Sequence, residues 1–261
     1  MSLAPDPRES SRLFDETPVH EEPGLHQTES ERARIRDTVA MIPQGTGSLV
    51  DVGCGRGDLL HQIAVPITVG TDLARRGIRF VRRPKAVSSV LALPFRDQSF
   101  DVVLCAETLE HLDPDDLAHA ASELRRVARR AVLVTVPFAE PPLAWSARCP
   151  RCGTVFHLYG HRTVFTPPRL TGLFPGGANY EVRGSWPVRP TSPWLLWVRT
   201  RGLGLWKYGR HARCPACGNI EFRDDERRLL YRVAGTLNRL LHPWKSAYRW
   251  LLLRVDLPVE P

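Results

Sequence analysis

Short runs of β-branched and other apolar residues alternate in this chain with longer stretches whose apolar positions recur every three or four residues. The short runs predict strands at Ser48–Val52, Ile67–Thr71, about Ala86–Val90, Asp101–Cys105 and Ala131–Val136. Between them the pattern predicts helices: about Glu29–Met41 capped by Thr28 or Ser30, Gly57–Ala64, a short basic helix after Asp72, and Leu117–Arg129. Acidic residues Asp113, Asp115 and Asp116 suit the positive end of that last helix. Five such alternations call for a parallel sheet with helices on both faces, an α/β architecture. Two further strands are expected at Asn179–Trp186 and Tyr248–Val255, separated by about sixty residues that a minimal sheet does not need. Prolines 5, 7, 18 and 23 interrupt any periodicity at the start, so residues 1–28 read as a flexible leader.

The first strand runs into Gly53, Gly55 and Gly57 at alternate positions. Glycines so spaced let the backbone turn sharply and let a ligand approach with no Cβ in the way. Strand, glycine loop and helix together form a nucleotide-binding arrangement, with Asp51 just before the turn and Asp72 at the tip of the second strand.

Asp51-Val52-Gly53-Cys54-Gly55-Arg56-Gly57, Val69-Gly70-Thr71-Asp72, Leu93-Pro94-Phe95 and Phe100-Asp101-Val102-Val103-Leu104-Cys105-Ala106-Glu107 follow one another in an order that resembles the class I S-adenosylmethionine-dependent methyltransferases. The resemblance spans roughly residues 45–185 and the final strand. It implies a Rossmann-like seven-stranded sheet, mostly parallel with an antiparallel last strand, formed by residues 29–186 plus 247–257. It also implies S-adenosylmethionine as cofactor, with Gly53, Cys54, Gly55 and Gly57 shaping its loop. Asp51 would orient its amino-acid end and Asp72, with Leu73 beside it, would hold its ribose. Ser89, Val90 and Cys105 complete the implied contacts, although Ser89 stands where relatives often carry an acid for the adenine amino group. Leu93-Pro94-Phe95 would wall the adenine.

Hydrophobic content of 43% suits a globular chain. No apolar run approaches a membrane span, and Met1–Glu31 lacks the apolar core of a signal peptide, so a cytoplasmic location is expected. The net charge is +8, carried by 36 Lys and Arg that are nearly all arginine. A solvated arginine-rich surface accounts for it; no stacking aromatics at set spacing mark a nucleic-acid partner, though a nucleic-acid methyltransferase remains a competing reading. So does a non-catalytic module that keeps only cofactor binding.

Cys149-Pro-Arg-Cys152-Gly and Cys214-Pro-Ala-Cys217-Gly form two knuckles. In a chain expected to be cytoplasmic, they read as one four-thiolate structural Zn2+ site stapling the insertions 145–165 and 187–246 into a cap. Separate redox pairs are the alternative, as is a Cys2His2 site using His157 and His161.

Glu107, Glu110 and His111 follow the fourth strand, and on a helix they share one face. The segment resembles the Glu-x-x-Glu-His of ubiquinone-pathway and small-RNA O-methyltransferases, with His161 where a later histidine falls. Two roles are open: a second divalent metal on Glu107, Glu110, His111 and His161, or a histidine acting as general base. The expected reaction is methyl transfer to a small-molecule or lipid-linked acceptor, at oxygen. Trp194, Leu195, Leu196, Trp197, Val198, Leu203, Leu205 and Trp206 form an apolar patch among arginines, either a cap helix or a peripheral membrane contact. The apolar stripe of a predicted helix Asp224–Leu241 reads as core.

Overall fold

The computed structural model describes residues 28–141, 143–208, 212–222, 228–242 and 244–258; the leader 1–27 and the first residues of the helix predicted from Asp224 lie outside them. Nine strands are present among the described residues, seven of them in one sheet. These are β1 Ser48–Val52, β2 Ile67–Asp72, β3 Lys85–Val87, β4 Phe100–Ala106, β5 Ala128–Pro137, β8 Asn179–Val188 and β9 Ala247–Asp256. Their order is β3-β2-β1-β4-β5-β9-β8. β1 to β5 pair in parallel, while β9 runs antiparallel to both β5 and β8. The sheet therefore reverses its strand order beside β1 and β4, where ligands bind at the carboxyl ends of the strands.

β1 is buried from Leu49 onward and β4 nearly throughout, as strands covered on both faces must be. One apolar layer joins Val50, Val103, Val132 and Leu253 to α3 (Leu117–Val127) and α4 (Pro167–Thr171). The opposite layer joins Leu49, Leu104 and Leu133 to α1 (Glu29–Val39), to Leu60 and Ile63, and to Ile78 of α2 (Arg75–Ile78). Thr28 caps α1 by accepting from the Glu31 amide, and α1 lies across β8, where Ser185 donates to Asp37.

The helix expected at Gly57–Ala64 is reduced to one 3-10 turn, Leu60–Gln62. Gly57 opens the segment at φ 81°, the chain runs extended from Ile63, and Pro66 blocks any helical continuation. β3 is shorter than expected because Ser89 turns the chain, accepting from the Leu91 amide. Residues Pro114–Asp116 form a 3-10 turn rather than a side-chain cap, and Asp113 pairs instead with Arg162.

Two small units lie outside the sheet. β6 (Ser146–Arg148) and β7 (Val155–His157) form a hairpin around the first cysteine knuckle. Residues Pro193–Trp197 form α5, continued by a π-helical turn Val198–Gly202, and Arg228–Leu241 form α6. Leu195, Leu196, Leu205 and Trp206 are buried, so half of the apolar patch is packed as a cap. The stripe on α6 is not core: Leu230, Val233, Leu237, Leu240 and Leu241 are exposed. α6 is tied to the cap through polar contacts of Tyr231 and Asn238 rather than packed on the sheet core.

Arg126 pins the Leu93-Pro94-Phe95 segment to α3, donating to the carbonyls of Phe95 and Leu93 at 2.8 and 3.1 Å while bridging Glu123 and Asp97. Arg126→Ala is expected to cost about 1–2 kcal/mol of stability, since charged hydrogen bonds to backbone are lost in a partly exposed setting, as read by denaturant titration.

Candidate cofactor and acceptor site

Gly53, Gly55 and Gly57 all have positive φ, 75°, 53° and 81°. A Cβ on Gly53 would lie 2.0 Å from Thr108 Oγ1, whereas one on Gly55 would meet nothing within 4 Å. Gly53 thus serves close packing, and Gly55 faces open space at the loop tip. Four of the loop amides are already engaged. Gly53 and Cys54 both donate to the Thr71 carbonyl, Gly55 donates to Asp72 Oδ2 at 2.7 Å, and Gly57 donates to the Cys54 carbonyl. With no long helix behind it and these four amides engaged, this loop lacks the donor nest that a pyrophosphate needs.

Its surroundings are instead acidic. Asp51 is buried, and neither of its oxygens has a hydrogen-bond partner. Burial, and then the charge of Asp72, push its carboxyl up to about 7 against the pull of Arg34. Asp72 also accepts from the Ala74 amide at 2.7 Å, so it locks the loop to the end of β2. An orphaned carboxylate beside an open glycine fits a ligand that carries positive charge, as the sulfonium and ammonium of S-adenosylmethionine do. Leu73 is exposed beside Asp72, Ser89 is half-buried and Val90 is buried. Cys105 is wholly buried in one core layer, and Cys54 packs in the other with 9% of its surface exposed.

Past β4, Glu107 takes φ 53° and is held by Thr135 Oγ1 at 3.3 Å and by the Trp250 indole N–H at 2.7 Å. The next residues form a 3-10 turn, Leu109–His111, not the helix that would align three ligands. Glu110 is wholly buried with both oxygens unpartnered; burial, and then the charge of Glu107, raise its carboxyl well above the ordinary range. His111 hydrogen-bonds the Gly160 carbonyl, and burial, followed by the charge of His161, pushes its imidazole down to about 3. Glu110, His111 and His161 bring ligand atoms within 4.8 Å of one another, and so do Glu140, His157 and His161. Glu107 joins neither trio.

His161 Nδ1 lies 2.6 Å from Glu140 Oε2. Burial opposes ionisation of Glu140, but His157 at 3.5 Å and His161 at 2.6 Å overcome it and hold the carboxyl down at about 2. A cavity of about 270 Å3 opens beside this pair, lined also by Pro137, Leu143, Phe156 and Val164. A larger recess of about 540 Å3, lined by Arg56, Arg79 and Phe80, holds no residue of the histidine cluster.

The four knuckle cysteines stand together, apart from the histidines. Cys149 and Cys217 Sγ are 3.6 Å apart, and Cys152 and Cys214 Sγ 3.5 Å. All four are free thiols. A tetrahedral zinc with Zn–S bonds of about 2.3 Å has sulfur edges of about 3.8 Å, so the set fits that ion. The two knuckles share one geometry. The Cys149 and Cys214 amides donate to Thr154 and Asn219 carbonyls, and Gly153 and Gly218, both at positive φ, donate back to Cys149 and Cys214 carbonyls.

Arg34, Glu140 and Trp250 were not singled out in the sequence. Arg34 carried little signal: it lies on the face of α1 that holds the buried Ser30 and Thr38, four residues to either side, and only the fold buries it. Glu140 and Trp250 carried none, since only the folded chain brings them to His161 and Glu107.

Strand order, glycine loop and acidic strand tips are those of the S-adenosylmethionine-dependent methyltransferase fold. Residues 50–135 match the family described as methyltransferase domain. A demethylmenaquinone methyltransferase of Roseiflexus sp. (strain RS-1) is 36% identical over 156 residues, 55% of this chain and 62% of that protein. Less than two thirds of that relative's length is therefore spanned. Among solved structures, a methyltransferase titled a possible histamine N-methyltransferase from Thermotoga maritima aligns with TM-score 0.58 at 15% identity, over 96% of this chain and 99% of that one. The structure titled [4+2]-cyclase SpnF aligns with TM-score 0.56 at 18% identity, over 99% and 100%. Such likeness shows the fold and leaves the reaction to the site.

The Asp51 carboxyl makes folding pH-dependent. Unfolded, it ionises near 3.8; folded, it keeps its proton to about 7, so stability falls as pH rises between these values, by roughly 4 kcal/mol in the limit. Denaturation midpoints of the ligand-free protein are expected to drop between about pH 4 and pH 7, and Asp51→Asn to flatten that drop. A wild-type profile no steeper than the variant's would remove this role.

Proposed function

We propose that the chain is an S-adenosylmethionine-dependent methyltransferase acting on a small-molecule or lipid-linked acceptor, at oxygen. The observation that carries the reading is the Glu140–His161 pair at 2.6 Å, beside a cavity and in one cluster with His111 and Glu110. The curated relative's name, a demethylmenaquinone methyltransferase, supports a quinone-like acceptor. When bound, the cofactor supplies an activated methyl on a cationic sulfur. Asp51 and Asp72, with the glycine loop between them, bind and orient it. Glu140 accepts the Nδ1 proton of His161 and so leaves Nε2 as the base that takes the acceptor's hydroxyl proton. Glu107, fixed by Trp250 and Thr135, shapes the wall of the site rather than ligating a metal. In-line displacement then depends chiefly on positioning.

His161→Gln is expected to lower kcat with soluble catechol or naphthohydroquinone acceptors by about 10²–10⁴-fold while leaving cofactor affinity unchanged. Unchanged turnover would contradict the base. Turnover lost on treatment with chelator and restored by Mg2+ or Mn2+, with zinc content constant, would give Glu110, His111 and His161 the metal role instead.

The cysteine set is proposed as a structural zinc site. Four thiolates leave no open position on the ion, and the knuckle hairpin runs directly into His157 and His161. Cys214→Ser is expected to release zinc, measured by elemental analysis, and to lower the melting temperature. A variant that keeps its full zinc content would refute the four-thiolate site.

A further inference from the structure

The α6 helix presents an apolar arc whose leucines and valine stand exposed among the described residues. Leu230, Val233, Leu237, Leu240 and Leu241 recur at i, i+3, i+7, i+10 and i+11 and share one face. Leu240 is 72% exposed, and Trp244 just beyond the helix 79%. The other side of α6 attaches it to the cap: Asn238 accepts from the Ser192 amide and donates to the Pro190 carbonyl, and Tyr231 bonds the Trp206 carbonyl. Ser192 caps α5, whose Trp194 and Trp197 are exposed at 65% and 57% while Leu195 and Leu196 point inward. Two neighbouring helices thus turn leucines and tryptophans outward together.

Charge tells what kind of surface faces them. Between Val182 and Val255 the sequence carries 15 arginines and lysines against four acids, all four of them within Glu221–Glu226 just before α6. An apolar protein partner does not demand so one-sided a charge. An anionic lipid surface does, because apolar residues enter the acyl boundary while arginines and lysines meet the headgroups. Tryptophan is the side chain that favours this interface, with an apolar ring and one N–H donor. No described helix is long and apolar enough to cross a membrane, so the contact is one of lying on the surface.

We propose that α6 and the outward tryptophans of α5 form a docking face for an anionic phospholipid membrane, bound through the Leu230–Leu241 arc and the surrounding arginines. This inference stands apart from catalysis, since vesicle binding is read without cofactor or acceptor.

Sedimentation of the full chain with vesicles tests it. The protein is expected to sediment with phosphatidylglycerol–phosphatidylcholine vesicles, and about tenfold less with phosphatidylcholine alone or in about 1 M salt, where the Debye length is about 3 Å. Leu237→Glu with Leu240→Glu, both at exposed positions, should cut binding by about tenfold or more while leaving the melting temperature unchanged. Trp194→Ser with Trp197→Ser should weaken it independently. Absence of binding to anionic vesicles, or binding indifferent to both variant pairs, would overturn the proposal. A concentration-dependent dimer in sedimentation velocity that the leucine variant abolishes would overturn it too, assigning the face to a second copy of the chain.

Discussion

Two buried carboxylates with too little positive charge around them organise this molecule. Asp51 and Glu110 each lie in the interior with both oxygens unpartnered, and the cation whose field reaches both is Arg34. One guanidinium does not neutralise two carboxylates that also feel Asp72 and Glu107. Leaving charge unpaired in a low-dielectric interior is expensive, and a fold keeps such an arrangement where a ligand completes it. The rest of the structure serves the arrangement. α1 packs across β8 to deliver Arg34, the glycine loop is tied down through Thr71 and Asp72, and Trp250 reaches from β9 to hold Glu107.

The cap connects to this centre through the chain. The first cysteine knuckle sits inside the β6–β7 hairpin, and the residues leaving β7 carry His157 and His161 to Glu140. His161 is thus positioned by an element with almost no apolar core of its own, the situation in which a metal staple supplies what packing cannot. The paired geometry of the two knuckles, each closed by a glycine at positive φ, gives the four sulfurs a common focus.

Much of the fold was legible in the sequence because the inner strands β1, β4 and β5 are buried and run as short apolar stretches. The limits of β1, β8 and β9 fall within two residues of those expected from pattern alone. The glycine loop was legible too, since positive φ at three alternate positions admits glycine and little else. What was not legible depends on distance and exposure. The Gly57–Ala64 helix is cut to one turn because the chain turns extended at Ile63, ahead of Pro66. The α6 stripe read as core because periodicity says which residues share a face but not what that face meets. At the site, spacing suggested Glu107, Glu110 and His111 as a unit, whereas the 3-10 turn turns Glu107 toward Trp250 and tertiary folding supplies Glu140.

The central claim is that Asp51 is kept available for the cofactor's positive charge. Calorimetric titration with S-adenosylmethionine near pH 7, repeated in buffers of different ionisation enthalpy, counts the protons exchanged on binding. A carboxyl held at about 7 by burial should ionise when a cation docks against it, so the wild type should release protons and Asp51→Asn should not. Binding with no proton release, or with the same release in both proteins, would contradict the account.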